Sequence, residues 1–306
     1  MKNIFPHIAI ATLCGWFGIT RQAYYQSNWN AESKSIEQEL ILKEVIKIRK
    51  KHPRMGVRKL YKKLSFFKSK HRIKMGRDAL FDLLSSNNLL IKKRKRRVQT
   101  TQSFHWLKKY PNLVKDFIPS AVNKLWVSDI TYWKIENGKF IYISLITDAF
   151  SHKIVGFHVA ESLRSIETRK ALKMALHILS KEEKSNIELI HHSDRGVQYC
   201  SHQYVKLLKK YKIKISMTES GDPRENAIAE RINGILKEEY LYDYIVNNIK
   251  EAKKILNEVV KLYNEDRPHN SIENLTPNQV HIENIKRKKL WKNYYKKIIV
   301  KEQEQH

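Results

Sequence analysis

Three acidic residues stand out by their surroundings. Asp129 lies in the middle of the apolar run WVSDITYW, Asp194 follows another in LIHHSDRGVQYCS, and Glu230 sits in GDPRENAIAERINGILK. A carboxylate within a strand costs free energy unless it is paired or bound to a metal. Mg²⁺ is a hard ion, held by one or two protein carboxylates with water and substrate phosphate completing its shell. Two such ions about 4 Å apart clamp the attacking and leaving oxygens of an in-line phosphoryl displacement. Each acid taken singly also has an ordinary role open to it. Asp129 can hydrogen-bond a turn, Asp194 can cap the helix that follows, and Glu230 can pair with Arg231 or Lys237.

The elements around these acids follow from the residue pattern. LWVSDITYWKI, GKFIYISLITDAF and HKIVGFHVAES read as three β-rich runs separated by short turns. Helical spacing follows over 165–180, a fourth strand over 187–192, a helix over 202–211, a fifth strand over 212–217 and a helix over 224–240. This order predicts an α/β fold, a mixed sheet with helices on both faces. Asp194 then falls at a strand end, where open sheets build their functional crevice. On the 224–240 helix, Asn226, Glu230, Asn233 and Lys237 share a wedge of about 60°, with Ile228, Ile232, Ile235 and Leu236 opposite. Further helices are expected over 250–264 and from Thr276-Pro277, where proline suits the first helical position.

The charge distribution narrows the partner. The 306-residue chain carries 59 Lys and Arg against 31 Asp and Glu, a formal net charge of +28. Residues 41–110 hold 23 basic and 3 acidic side chains, whereas 121–240 hold 19 and 15. The N-terminal third is therefore suited to a polyanion, with nucleic acid ahead of an acidic membrane surface. Within it, IAIATLCGWFGITRQAYYQ (8–26) reads as helix, Gly18 turn and helix, and 36–51 as a charged helix ended by His52-Pro53. Val57, Leu60, Tyr61 and Leu64 mark one helix face, with Arg58 and Lys59 on the other. Leu80, Leu83 and Leu84 mark a further helix, followed by the basic run Lys92, Lys93, Arg94, Lys95, Arg96, Arg97. The two cysteines, Cys14 and Cys200, make neither a disulfide framework nor a cysteine-based zinc site. No stretch has the roughly 20 apolar residues of a membrane span.

These blocks carry a resemblance. LCGWFGITRQAYY and RMGVRKLYKKL…GRDALFDLL look like the N-terminal DNA-binding region of the IS-three insertion-sequence transposases. WVSDITYW, SLITDAFSHKIVGF, HHSDRGVQYCS, GDPRENAIAERINGILK and YNEDRPHNSIENLTPNQV resemble successive blocks of that family's integrase core, which retroviral integrases share. The resemblance implies a ribonuclease-H-like core preceded by small all-α helix-turn-helix units. It makes Asp129, Asp194 and Glu230 a catalytic, metal-binding D-D-E triad, with 35 residues between the last two, and Lys237 a contact to the DNA end. Asn226, Arg195, Arg58, Lys59, Lys92, Lys93, Arg94, Arg96 and Arg97 are further expected DNA contacts. The implied activity is metal-dependent cleavage and strand transfer at element ends, with two Mg²⁺ ions that Mn²⁺ can replace. The implied partners are double-stranded DNA at element ends and target, further copies of the chain on DNA, and a helix-turn-helix protein encoded in a first reading frame. The place of action is the cytoplasm, on the nucleoid. The alternatives are a DNA-binding regulator with an inactive core and a nuclease of the same fold. The expected division is a helix-turn-helix-like segment 1–30, a helical DNA-binding domain with a basic arm 36–97, a linker 98–120, the core 121–240, a helical extension 241–285 and a basic aromatic tail 286–306.

Overall fold

The computed structural model describes residues 7–91, 105–115, 117–136, 138–179, 188–219 and 223–284. Lys92, Lys93, Arg94, Arg96, Arg97 and the 286–306 tail lie outside the described residues. The chain divides into two compact units, residues 1–51 with 55–92, and residues 52–54 with 93–306.

The first unit is helical. Helix α1 (Ile10–Trp16) ends in a turn at Gly18, whose φ of +65° is open to glycine at little cost. The Thr20 hydroxyl accepts from the Ala23 amide at 3.0 Å, and α2 then runs from Arg21 to Lys51. The helix expected over 36–51 thus begins at Arg21, and no break separates it from the 1–30 segment. The physical reason is that residues 27–35 contain neither glycine nor proline, so no stop signal interrupts the propagating hydrogen bonds. Helices α3 (Val57–Lys63), α4 (Ser65–Lys70) and α5 (Arg77–Ser86) follow. Ile41 and Val45 of α2 pack with Met55, Val57, Leu60, Leu64, Ile73, Leu80, Leu83 and Leu84 in one core. That core leaves Arg58 exposed and Lys59 partly exposed.

The second unit is built on a five-stranded sheet of order β3-β2-β1-β4-β5. Its strands are β1 (Leu125–Lys134), β2 (Phe140–Asp148), β3 (Ile154–Ala160), β4 (Ile190–Ser193) and β5 (Lys214–Met217). The first three form an antiparallel meander, while β1 pairs in parallel with β4, and β4 with β5. This is the ribonuclease-H-like arrangement. One face of the sheet is covered by α6 (Ser165–Ile178), α7 (Val197–Cys200) and α8 (His202–Lys210), through Leu172, Leu176, Tyr199, Tyr204 and Leu208. The other face is covered by α9 (Ala227–Ile235) and α10 (Ile249–Glu265), through Ile232, Ile235, Leu256, Val260 and Tyr263. A last helix, α11 (Pro277–Glu283), opens with a Thr276–Gln279 capping box.

Residues 105–115 depart from the linker expectation. Leu107 and Tyr110 pack on the α6–α8 face and Val114 on a cluster around Leu125 and Val127. The Leu113 amide donates to Ser216 Oγ at 2.9 Å, and the Met217 amide to the Pro111 carbonyl at 3.3 Å. Three apolar side chains within eight residues are enough to tie this segment along β5. The 224–240 helix is also composite. It opens with a 3₁₀ turn at Pro223–Asn226, continues as α9, and widens into a π turn at Leu236–Tyr240.

Candidate active site

The parallel pairing of β1 with β4 brings the two aspartates together. Trp126 pairs with His191 and Val127 with His192. Continued by two residues, that register sets Asp129 beside Asp194, one inter-strand spacing of about 4.8 Å away along the sheet. Asp194 is the first residue past β4, and its turn is fixed by the Gly196 amide, which donates to Asp194 Oδ1 at 3.0 Å. Asp129 receives two donors: the Ile130 amide to Oδ1 at 2.8 Å, and Asn233 Nδ2 to Oδ2 at 2.6 Å. Asn233 lies on α9, which packs against β1 and β2. Glu230 is exposed on the same helix, one turn earlier.

The electrostatics report how these groups meet. Burial pushes the Asp129 carboxyl up to about 7, and the negative charges of Asp194 and, more weakly, Glu230 push in the same direction against the two hydrogen bonds. Burial also raises Asp194, opposed by the Gly196 amide and by His105. Among the described residues, no three His, Cys, Asp or Glu side chains close into a ready-made metal cage; the charge of Glu230 acts on Asp129. Asp148, a fully buried strand acid, provides a contrast. Its oxygens are taken by the Asn123 amide and by the amide and hydroxyl of Ser151, so it serves a turn.

A divalent ion fits this donor set. Carboxylates are hard oxygen ligands, and the two aspartates repel one another with no cation between them. Buried polar atoms also remain without a hydrogen-bond partner in the described residues around the pair: Asn233 Oδ1, Arg195 Nε and the Tyr199 hydroxyl. Such atoms are normally satisfied by water or an ion.

The other expected site residues fall in different places. Lys237 is half-buried on the π turn, its Nζ 3.8 Å from the centre of the Tyr132 ring on β1. Burial lowers its pKa, while the charges of Asp129 and Glu238 favour the ammonium. Asn226 is a correction. It is buried, and its Nδ2 donates to the Ser128 carbonyl at 3.0 Å, so it ties the start of α9 to β1 rather than lying open on the surface. Arg195 is partly exposed, and its carbonyl accepts from His105 Nε2 at 2.6 Å.

The two histidines belong to the scaffold. His192 Nε2 donates to the Glu225 carbonyl at 3.1 Å, and its Nδ1 accepts from Ser216 Oγ at 2.8 Å. His191 Nε2 lies 2.7 Å from Ser128 Oγ and 3.0 Å from the Tyr204 hydroxyl. Burial pushes His191 down to about 3, so the ring is neutral, locked behind β1. A residue with no signal of its own in the sequence supports the site from below. Arg267, 1% exposed, grips Glu239 of the π turn through Nε and Nη2, both at 2.8 Å, and reaches His269 at 2.7 Å. In the sequence it lies within the block YNEDRPHNSIENLTPNQV, whose resemblance gave it no role.

Comparison with known proteins places this geometry in a wider set. Two models described as integrase core domain match residues 119–223 and 211–277. The chain is 34% identical over 271 residues to the insertion element IS600 uncharacterized 31 kDa protein of Shigella sonnei, covering 87% of this chain and 96% of that one. It is 28% identical to the transposase for insertion sequence element IS629 of Shigella sonnei, covering 87% and 89%. Among solved structures it is similar to the HTLV-2 integrase catalytic core domain in complex with magnesium, at 22% identity and a TM-score of 0.41, covering 52% of this chain and 96% of that one.

Proposed function

The chain belongs to the IS-three family of insertion-sequence transposases, polynucleotidyl transferases of the integrase-core class that act in DNA transposition, and from that premise we propose that Asp129, Asp194 and Glu230 are its catalytic carboxylates. The observation that carries this reading is the register of β1 on β4, which sets Asp129 beside Asp194, close enough for the charge of Asp194 to push the Asp129 carboxyl up. The family is divalent-metal dependent. Two Mg²⁺ ions, or Mn²⁺ in their place, would be held by these three acids and would supply charge stabilisation at the attacking and leaving oxygens.

The remaining roles follow from what each side chain does in this chain. Asn233 orients Asp129 by its 2.6 Å hydrogen bond. The Gly196 amide orients Asp194. Glu230, exposed on α9 and acting on Asp129 through its charge, would complete the set. Lys237, held near Asp129, offers its ammonium to a phosphate of the DNA end. Arg195, beside Asp194, offers a second cation. Arg58 and Lys59 sit on the outer face of α3, where they serve duplex phosphates, as would the basic run from Lys92 to Arg97. Neither cleavage nor joining needs a covalent protein–DNA intermediate, so no serine or tyrosine nucleophile is assigned.

The partners in this reading are duplex DNA at element ends and target, other copies of the chain assembled on that DNA, and a first-frame helix-turn-helix protein that adds end specificity. Action on cytoplasmic DNA accords with the absence, among the described residues, of any helix long and apolar enough to cross a membrane. The test is incubation of the chain with Mg²⁺ and labelled duplex carrying the terminal repeats that flank its gene. A product joined to a second duplex supports the transposase. Cutting without joining favours a nuclease of the same fold, and binding without cutting favours a regulator.

A further inference from the structure

We propose that Trp106 is a DNA-positioning residue that stacks on a nucleobase left unpaired beside the cleavage point. The inference rests on the reading of Asp194 as part of the catalytic centre. Trp106 is 93% exposed, the most exposed large apolar side chain among the described residues. It is not exposed because its segment is loose. On one side, His105 Nε2 donates to the Arg195 carbonyl, one residue past Asp194. On the other side, Leu107 and Tyr110 pack into the core of the sheet's α6–α8 face. The strap is thus pinned immediately before and after the indole, which is turned into water beside the exposed Lys108 and Lys109. An indole covers enough apolar area that leaving it wholly hydrated forgoes a sizeable stabilisation.

The surroundings select the occupant. His105 acts electrostatically on Asp194, so the strap lies within reach of the proposed catalytic carboxylates. Lys108 and Lys109, both exposed, lie two and three residues past Trp106, and the His105 anchor is made to Arg195. A flat aromatic face flanked by cations is the combination that receives single-stranded nucleic acid: the cations take phosphates and the ring takes a base. A paired base inside a duplex has no free face to offer, because its neighbours stack on both sides. Only a base at an end, or one turned out of its pair, can meet the indole. Opening the pair next to the scissile phosphate would also give that phosphate room to descend between Asp129 and Asp194. A protein surface is the other possible cover for an exposed indole, but the lysines and the acidic centre beneath favour DNA.

The test compares two substrates with the full chain and Mg²⁺: a fully paired duplex of the element's own ends, and the same duplex with mismatches at the two pairs flanking the cleavage point. The side chain carries no core contacts, so Trp106→Ala should fold like the parent. It should cut the paired end about ten-fold more slowly, the scale of one lost base–aromatic stack. On the mismatched end it should come within about two-fold of the parent, since the base is already free. Trp106→Phe should fall between. Equal losses on both substrates, or no loss on either, would overturn the proposal, as would a Trp106→Ala defect that appears only as altered self-association in solution. A parent that cuts neither substrate would refute the catalytic reading and this inference with it; an active parent matched by Trp106→Ala would refute this inference alone.

Discussion

Asp129→Asn should make the metal-free protein more stable at pH 8 while abolishing its chemistry. The carboxyl titrates near 3.8 in the unfolded chain and at about 7 in the folded one. A raised acid pKa means the folded state holds a proton that the unfolded state has lost. Stability therefore falls as pH rises from about 4 to 7, and the deficit is complete above 7. A difference of about three pH units corresponds to about 4 kcal/mol at 1.36 kcal/mol each. Asparagine removes the charge and keeps the shape. Its carbonyl still accepts from the Ile130 amide, and its NH₂ can meet Asn233 Oδ1, which is buried without a partner, once that amide turns over. In chelator at pH 8, the variant should gain about 2–4 kcal/mol, or roughly 10 °C in melting temperature for a unit of this size. At pH 4 the difference should shrink to below about 1 kcal/mol, because the folded carboxyl is then neutral and the unfolded one only about half ionised. Mg²⁺ at pH 8 should raise the parent's melting temperature more than the variant's. A variant less stable than the parent at pH 8, or an offset independent of pH, would refute the reasoning.

Other consequences reach further from the acids. Arg267→Ala removes both hydrogen bonds to Glu239 on the π turn and should cost about 3–5 kcal/mol, read from the urea midpoint; Arg267→Met should cost less. Gly156→Ala places a Cβ 2.3 Å from the Ala171 carbonyl oxygen and 2.9 Å from Ala175 Cβ, between β3 and α6. That overpacking should lower stability by about 1–3 kcal/mol or more in thermal unfolding. Lys237→Ala should slow cutting of element ends roughly ten-fold, the worth of one charged hydrogen bond, while barely changing affinity for random duplex; equal losses in both assays would make Lys237 a general phosphate contact.

Much of this fold was legible because its signals are local. The alternating strands around Asp129 and Asp148, the 3.6-residue spacing of Leu172, Ala175 and Leu176, and the Thr276-Pro277 start each depend on neighbours in sequence. The family blocks carried the three acids, which residue chemistry alone left open to ordinary roles. What escaped was set by tertiary contacts. The pairing register that brings Asp194 beside Asp129 depends on β4 docking in parallel across a long crossover. The burial of Asn226 against the Ser128 carbonyl is a contact that no spacing rule marks. Arg267 is buried only because Glu239 waits for it across 28 positions of chain. The strap at 105–115 looked like a linker because its apolar residues are too few to show a period, yet they are enough to fasten it.

The most direct measurement is cleavage and joining of labelled element ends by Asp129→Asn, Asp194→Asn and Glu230→Gln, with the first-frame protein supplied and DNA binding followed in parallel. Residues that act as one unit fail together. Each single variant should lose Mg²⁺-dependent cutting and joining by orders of magnitude, nearly as far as the triple variant, while still folding and binding DNA at least as tightly as the parent. Folded variants that cut and join at the parent's rate would contradict the assignment of these three carboxylates.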